Sequence, residues 1–304
     1  MDASTLRPRL PLFVLTTMLV VIGTAPFVPG LLVQAQVPAV KFDVPGAKGR
    51  LVSPTYEGWY RLDGKTYVLF GYYNRNREEI VDVPIGPGNQ VAPGPIDQGQ
   101  PTRFFPGQHY GVFAVAVPAD RPKTEVTWTL TTHGQTLSIP ANLDSLYLVS
   151  PQKEDAGPYP GNTPPVVKFE PAGPAAQGPL GMTVNRTAIV SRPLEIDVWV
   201  TDDGLPPPPG REGPAPALRG SVAGRPPERR GMDVSWSVYR APGKVSISNP
   251  TPQVEQGKAR TMVTFAEPGD YMLHFLAVDS RSGTKCCWTN GYVRVTVTGR
   301  AGDR

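Results

Sequence analysis

From Val234 to Thr298 the chain repeats one device: apolar residues fall at every second position, in short runs closed by Gly, Pro, Asn or Asp. Val234, Trp236 and Val238 point one way while Ser235, Ser237 and Tyr239 point the other. Val263 with Phe265, then Tyr271, Leu273, Phe275 and Ala277, and finally Val293, Val295 and Val297 continue the pattern, and Leu194, Ile196, Val198 and Val200 begin it upstream. Successive side chains of a strand project to opposite faces, so a period of two predicts half-buried strands and not helices. Five such runs are enough to enclose a core between two sheets. Pro 37 and Gly 32 together exceed a fifth of the 304 residues, and an apolar period of 3.6 nowhere persists beyond two turns. The expected fold class is all-β, with two β-sandwich domains in tandem after a signal peptide.

The signal peptide is read from residues 1–35, where Arg7 and Arg9 precede an apolar run from Pro11 to Ile22 and Val33-Gln34-Ala35 offers small residues for cleavage. The run is interrupted by Gly23, Pro26 and Pro29, well short of the roughly 20 residues that span a bilayer. The expectation is an exported protein, periplasmic or extracellular, with no membrane span in its mature form. Residues 36–50 read as an N-terminal linker, 51–149 as a first β domain, 150–165 as a stiff Pro-rich linker, 166–299 as a second β domain and 300–304 as a tail. Within the second domain, residues 204–231 contain almost nothing that could be buried and read as a long loop. The formal charge of +4 is small, and the one basic concentration, Arg219, Arg225, Arg229 and Arg230, lacks interleaved aromatics, so no nucleic-acid partner is expected.

Residues TDDGLPPPP, VSWSVYRAPGKVSISNP and VTFAEPGDYMLHFLAVDS resemble the PKD-like repeats of secreted and cell-surface proteins, a kind of immunoglobulin-like sandwich. Trp236 stands where such folds bury a strand tryptophan, and Tyr271, preceded by Glu267-Pro268-Gly269, suits a tyrosine corner. The resemblance implies a spacer, adhesion or accessory role and no particular chemistry. Two departures accompany it: the long insertion at 204–231, and no cystine between the sheets. The first domain, with EGWYRLDGKTYVLFGYYNRNREE and VTWTLTTHGQT, resembles exported bacterial proteins that join such a block to a sandwich with a Cys-Cys-Trp-Thr-Asn ending.

Three sets of residues stand out as candidate sites. Trp59, Tyr72, Asn74 and Arg75 combine rings and polar groups at one predicted hairpin, a composition suited to glycan binding if they face outward. Alternation assigns about half the aromatics of this domain to the core. Cys286 and Cys287, followed by Trp288, are adjacent; they suit a vicinal disulfide, two thiols on opposite faces, or intermolecular links and metal ligation. A metal site there would need His109, His133 or His274, and His274 alternates with core residues, so it is expected at the surface. Asp202, Asp203 and Asp279 fall at predicted strand ends and could hold Ca²⁺, or could cap turns and face water. Motifs for serine hydrolases, zinc proteases, phosphate loops and dithiol redox centres are absent. The leading expectation is therefore an exported, non-enzymatic binding or structural protein without a resident cofactor, its partner an envelope or extracellular protein or a glycan. A carbohydrate-binding module and a redox or metal-handling protein are the alternatives.

Overall fold

The alternating runs do form strands. A computed structural model describes residues 45–118, 125–155, 160–205, 232–279 and 286–299, all of them within one compact unit, Asp43–Arg304. The predicted signal peptide, residues 206–231 of the long loop and the tail lie outside the described residues.

The first module contains β1 (Val52–Leu62), β2 (Lys65–Asn74), β3 (Val81–Asp82), β4 (Asn89–Ala92), β5 (Arg103–Phe104), β6 (Gly107–Ala116), β7 (Val126–Thr132) and β8 (Gln135–Ala141). One 3-10 turn, Ser145–Tyr147, leads out of it. The second module contains β9 (Val166–Lys168), β10 (Met182–Ile189), β11 (Leu194–Thr201), β12 (Asp233–Arg240), β13 (Val245–Ile247), β14 (Lys258–Phe265), β15 (Gly269–Val278) and β16 (Trp288–Thr298). The described chain is thus all-β, and among the described residues no helix is long and apolar enough to cross a membrane.

In the first module a sheet ordered β1-β2-β6 faces a sheet ordered β4-β7-β8, with the short β3-β5 ribbon beside them. Asp63-Gly64 and His133-Gly134 close the two tight hairpins, all four residues having the positive φ that a two-residue turn needs. Between the sheets the rings of Phe70, Phe104, Phe113 and Trp128 interlock, with Phe113 edge-on to Trp128 at 5.0 Å. The Trp128 indole donates to Asn89 Oδ1 at 3.0 Å, so this buried N–H is satisfied.

In the second module the sheets are ordered β10-β16-β15-β12 and β13-β14-β11-β9, with β10 parallel to β16. Their inner faces carry the residues that alternation selects, including Val198, Trp236, Phe265, Tyr271, Leu273, Phe275 and Val293. Trp236 lies 5.0 Å from Phe275. Tyr271 Oη donates to the Glu267 carbonyl at 2.8 Å, which is the geometry of a tyrosine corner.

The two modules meet along a seam. The outer face of β15 and β16 lies on β6, and Tyr239 of β12 enters the core of the first module. Opposite β2, the run from Phe113 back to His109 bulges, and Gly111 within it takes a left-handed φ of +55°. The bulge offers the Gly111 carbonyl to the second module, where it accepts from Trp288 Nε1 at 3.3 Å and Asn290 Nδ2 at 2.9 Å. Tyr292 Oη donates to the next carbonyl, Val112, at 2.8 Å, and Tyr239 Oη to that of Gly99 at 2.6 Å. At the edge, Arg240 grips Asp97 with both terminal nitrogens, at 2.7 and 2.8 Å, and the ion pair holds the Asp97 carboxyl below its ordinary pKa.

A Cβ at Gly111 would stand 2.1 Å from the Trp288 ring on a backbone that L-residues avoid. Gly111→Ala is therefore expected to destabilise the protein by about 3 kcal/mol, from overpacking together with left-handed strain. Urea unfolding at unchanged slope checks it.

Candidate functional site

The aromatic face expected around Trp59 is not on the surface. Trp59 is buried and donates from Nε1 to the Asp144 carbonyl at 2.7 Å. Tyr72 is buried between His109, stacked at 4.6 Å, and Phe104, and its hydroxyl accepts from Phe105 N at 3.1 Å. Asn74 is buried too, its amide donating to the carbonyls of Glu79 and Phe104. Arg75, half-buried, lies over the Tyr73 ring and bonds Ser53. The expectation of an exposed ring platform is corrected, and the reason is double burial. One face of the β1-β2-β6 sheet covers the first core, while the other places Tyr60, Leu69 and Trp288 in a cluster between the modules.

The expected stiff linker at 150–165 is likewise packed over much of its described length. Pro151, Glu154, Asn162, Pro164 and Pro165 are buried. Glu154 N donates to the Asn162 carbonyl at 2.8 Å, and Gly161 N donates back to that of Glu154 at 2.9 Å. Beneath this connector lie Cys286 and Cys287, joined as a vicinal disulfide with Cα atoms 3.1 Å apart across a cis peptide bond. The Asn162 carbonyl is 3.5 Å from Cys287 Sγ, and that of Pro151 is 3.8 Å from Cys286 Sγ. Both cysteines are buried, and the neighbouring Trp288 forms part of the seam.

None of the three histidines serves the cysteines as a ligand. His133 sits in its exposed turn beside Glu79, at 3.6 Å, and His109 is stacked on Tyr72. His274, expected at the surface, faces outward from its own core but onto the first module, where it is 8 % exposed. Its Nε2 is 2.9 Å from Asn290 Oδ1. The Asn290 amide nitrogen already donates to Gly111 and Pro179, so Oδ1 is the acceptor and His274 Nε2 carries the hydrogen. Burial pushes the His274 pKa down to about 4, and burial also lowers that of His109.

The acidic residues do come together. One carboxylate oxygen each from Asp202, Asp203 and Asp279 lies within 4.8 Å of the others, at the end of the second sandwich. Asp202 and Asp203 follow β11 and are exposed; Asp279 follows β15 and is 2 % exposed. Asp202 Oδ2 accepts from Gly204 N at 2.9 Å, and Asp203 Oδ2 accepts from Thr163 of the connector through both N, at 2.8 Å, and Oγ1, at 2.9 Å. Asp279 N donates to the Cys287 carbonyl at 3.3 Å. Burial, followed by the charge of Asp202, pushes the Asp279 pKa up to about 8, and burial raises that of Asp202.

No protein-family model matches the sequence, and none of the curated proteins is similar to it. Among solved structures, the tandem Ig repeats of Dlar align at 12% identity over 82% of this chain and 98% of that one, with a TM-score of 0.28. The D00-D0 domain of intimin aligns at 10% identity over 81% and 100%, with a TM-score of 0.26. A nucleoside hydrolase-related hypothetical protein from Saccharophagus degradans aligns at 18% identity over 46% of this chain, with a TM-score of 0.27; the chain spans 26% of its length.

The buried histidine predicts a pH dependence. In the folded state His274 binds its proton only near pH 4, whereas in the unfolded chain it does so near the ordinary value of 6.5. The unfolded state therefore takes up the extra proton between these values, and stability is lost as pH falls from about 6.5 to about 4, by about 3 kcal/mol. Asp279, with its raised pKa, contributes in the opposite sense over the same window. The stability difference between the parent and His274→Gln, followed from pH 7 to pH 4 by chemical unfolding, isolates the histidine and is expected to narrow by that amount.

Proposed function

We propose that this chain is an exported, non-enzymatic scaffold or accessory subunit of an envelope or extracellular assembly, built as a rigid double sandwich rather than as two beads on a linker. The observation that carries this reading is the seam. The β1-β2-β6 sheet is buried on both faces, Tyr239 of one module is counted in the core of the other, and Arg240 with Asp97 closes the edge. Domains joined only by flexible linkers lack such interpenetration, and large apolar contact is what suppresses relative motion between domains. A unit of this kind can hold two surfaces at a set angle.

The second module fits a PKD-like or immunoglobulin-like repeat, supported by the sandwiched sheets, the buried Trp236 and the Tyr271 corner. Export follows from the reading of residues 1–35 as a signal peptide. A non-enzymatic role is favoured by how the histidines are used: His274 holds Asn290 in the seam and His109 stacks on Tyr72. The glycan-binding alternative is not favoured at Trp59 and Tyr72, because both rings are buried.

Spin labels at Gln135, on the exposed edge strand of the first module, and Ser246, exposed on β13 of the second, test the rigid unit. The expected result is one narrow inter-label distance distribution. A broad distribution would reject the rigid double sandwich.

A further inference from the structure

We propose that Asp202, Asp203 and Asp279 form a Ca²⁺ site that ties the connector between the modules to the end of the second sandwich. Proximity of three acids alone would not establish this, since acidic groups often gather at strand ends and face water. Asp279 is the distinguishing group. It is 2% exposed, and among the described residues neither of its carboxylate oxygens has a hydrogen-bond partner. Both oxygens are sealed from water yet lie in the cluster with Asp202 and Asp203. Among the described residues no N–H or O–H donor and no cationic side chain faces it, and a carboxylate buried in its ionised form needs one or the other. Among the described residues no arginine, lysine or histidine forms an ion pair with any of the three.

The donor set selects the cation. Three carboxylates with no nitrogen or sulfur in the cluster suit a hard ion. Asp202 and Asp203 are exposed, so the outer side of the cluster is open to water, as the six to eight oxygen ligands of Ca²⁺ require. Mg²⁺ holds its own water shell more tightly and demands a regular octahedron, which three carboxylates from two strand ends are poorly placed to complete.

The site is also placed to do something. Asp203 accepts two hydrogen bonds from Thr163, and Asp279 is bonded through its backbone to Cys287. Asn162, immediately before Thr163, is fully buried, and among the described residues neither side-chain amide atom has a partner. A cation drawing the three carboxylates together would fix Asp203, and with it Thr163 and the connector that covers the disulfide.

The experiment uses the full mature chain, stripped with EDTA and then titrated with CaCl2 or MgCl2. The melting temperature is expected to rise by about 5 °C at a free Ca²⁺ concentration roughly one hundred times the dissociation constant, and by much less with Mg²⁺. Asp279→Asn, which removes the carboxylate at constant shape, is expected to abolish the Ca²⁺ response. Should that variant fail to fold, Asp202→Asn on the exposed rim is expected to weaken Ca²⁺ at least tenfold. Exchange of the Thr163 amide hydrogen is expected to slow at least tenfold with Ca²⁺. A parent that melts identically in EDTA and in Ca²⁺, an Asp279 variant with the full response, or equal responses to Mg²⁺ and Ca²⁺ would overturn the site; an unchanged Thr163 exchange rate would overturn its tie to the connector.

Discussion

The carbonyl of Gly111 accepts hydrogen bonds from two side chains of the opposite module, Trp288 and Asn290, and the arrangement of the two sandwiches depends on it. A regular strand would have spent that carbonyl on a neighbouring strand. The bulge in β6 releases it, and only a residue without a Cβ can occupy the bulge against the Trp288 ring. Asn290 then becomes a hub: its amide nitrogen donates to the Gly111 and Pro179 carbonyls, and its oxygen accepts from His274 Nε2. Every donor and acceptor of this buried amide that the seam uses is matched, so a polar interface costs little to bury and holds one register.

From this seam the remaining features follow in order along β16. Trp288 seals the cluster with Tyr60 and Leu69, Thr289 Oγ1 donates to the Pro165 carbonyl at 2.5 Å, and the two cysteines before them lie under the connector. The connector is therefore part of the body that it joins. Its far end reaches Asp203 through Thr163, which sets the acidic cluster at the junction of sandwich and connector. A single strand thus links the disulfide, the seam and the core valines of the second module.

Much of the second sandwich was legible because alternation is local. Trp236, Tyr271, Leu273, Phe275 and the valines of β16 lie inside where a period of two puts them. The outer face of β15 was harder to read. Met272, His274 and Leu276 alternate with the core residues, and only His274 is expected outside; that two of the three are apolar is the trace of a second buried face. What covers that face lies far along the chain, in β6, and no local pattern announces it. Trp59 and Tyr72 belong to the first core itself; with rings buried on both faces of β1 and β2, alternation does not say which face is the interior. The three aspartates were legible as a set because strand ends on one side of a sandwich must meet. The burial of Asp279 was not, because burial at a strand end is set by tertiary packing that no local pattern announces.

On the proposed reading the two sandwiches are one cooperative body joined through Gly111, Trp288 and Asn290. Native-state hydrogen exchange across a series of low denaturant concentrations tests it most directly, because it resolves the opening free energy of each strand. The slowest amides of β2, in the first module, and of β15, in the second, are expected to converge on the same free energy with the same denaturant dependence. Two separate free energies, with one sandwich opening while the other stays closed, would contradict it.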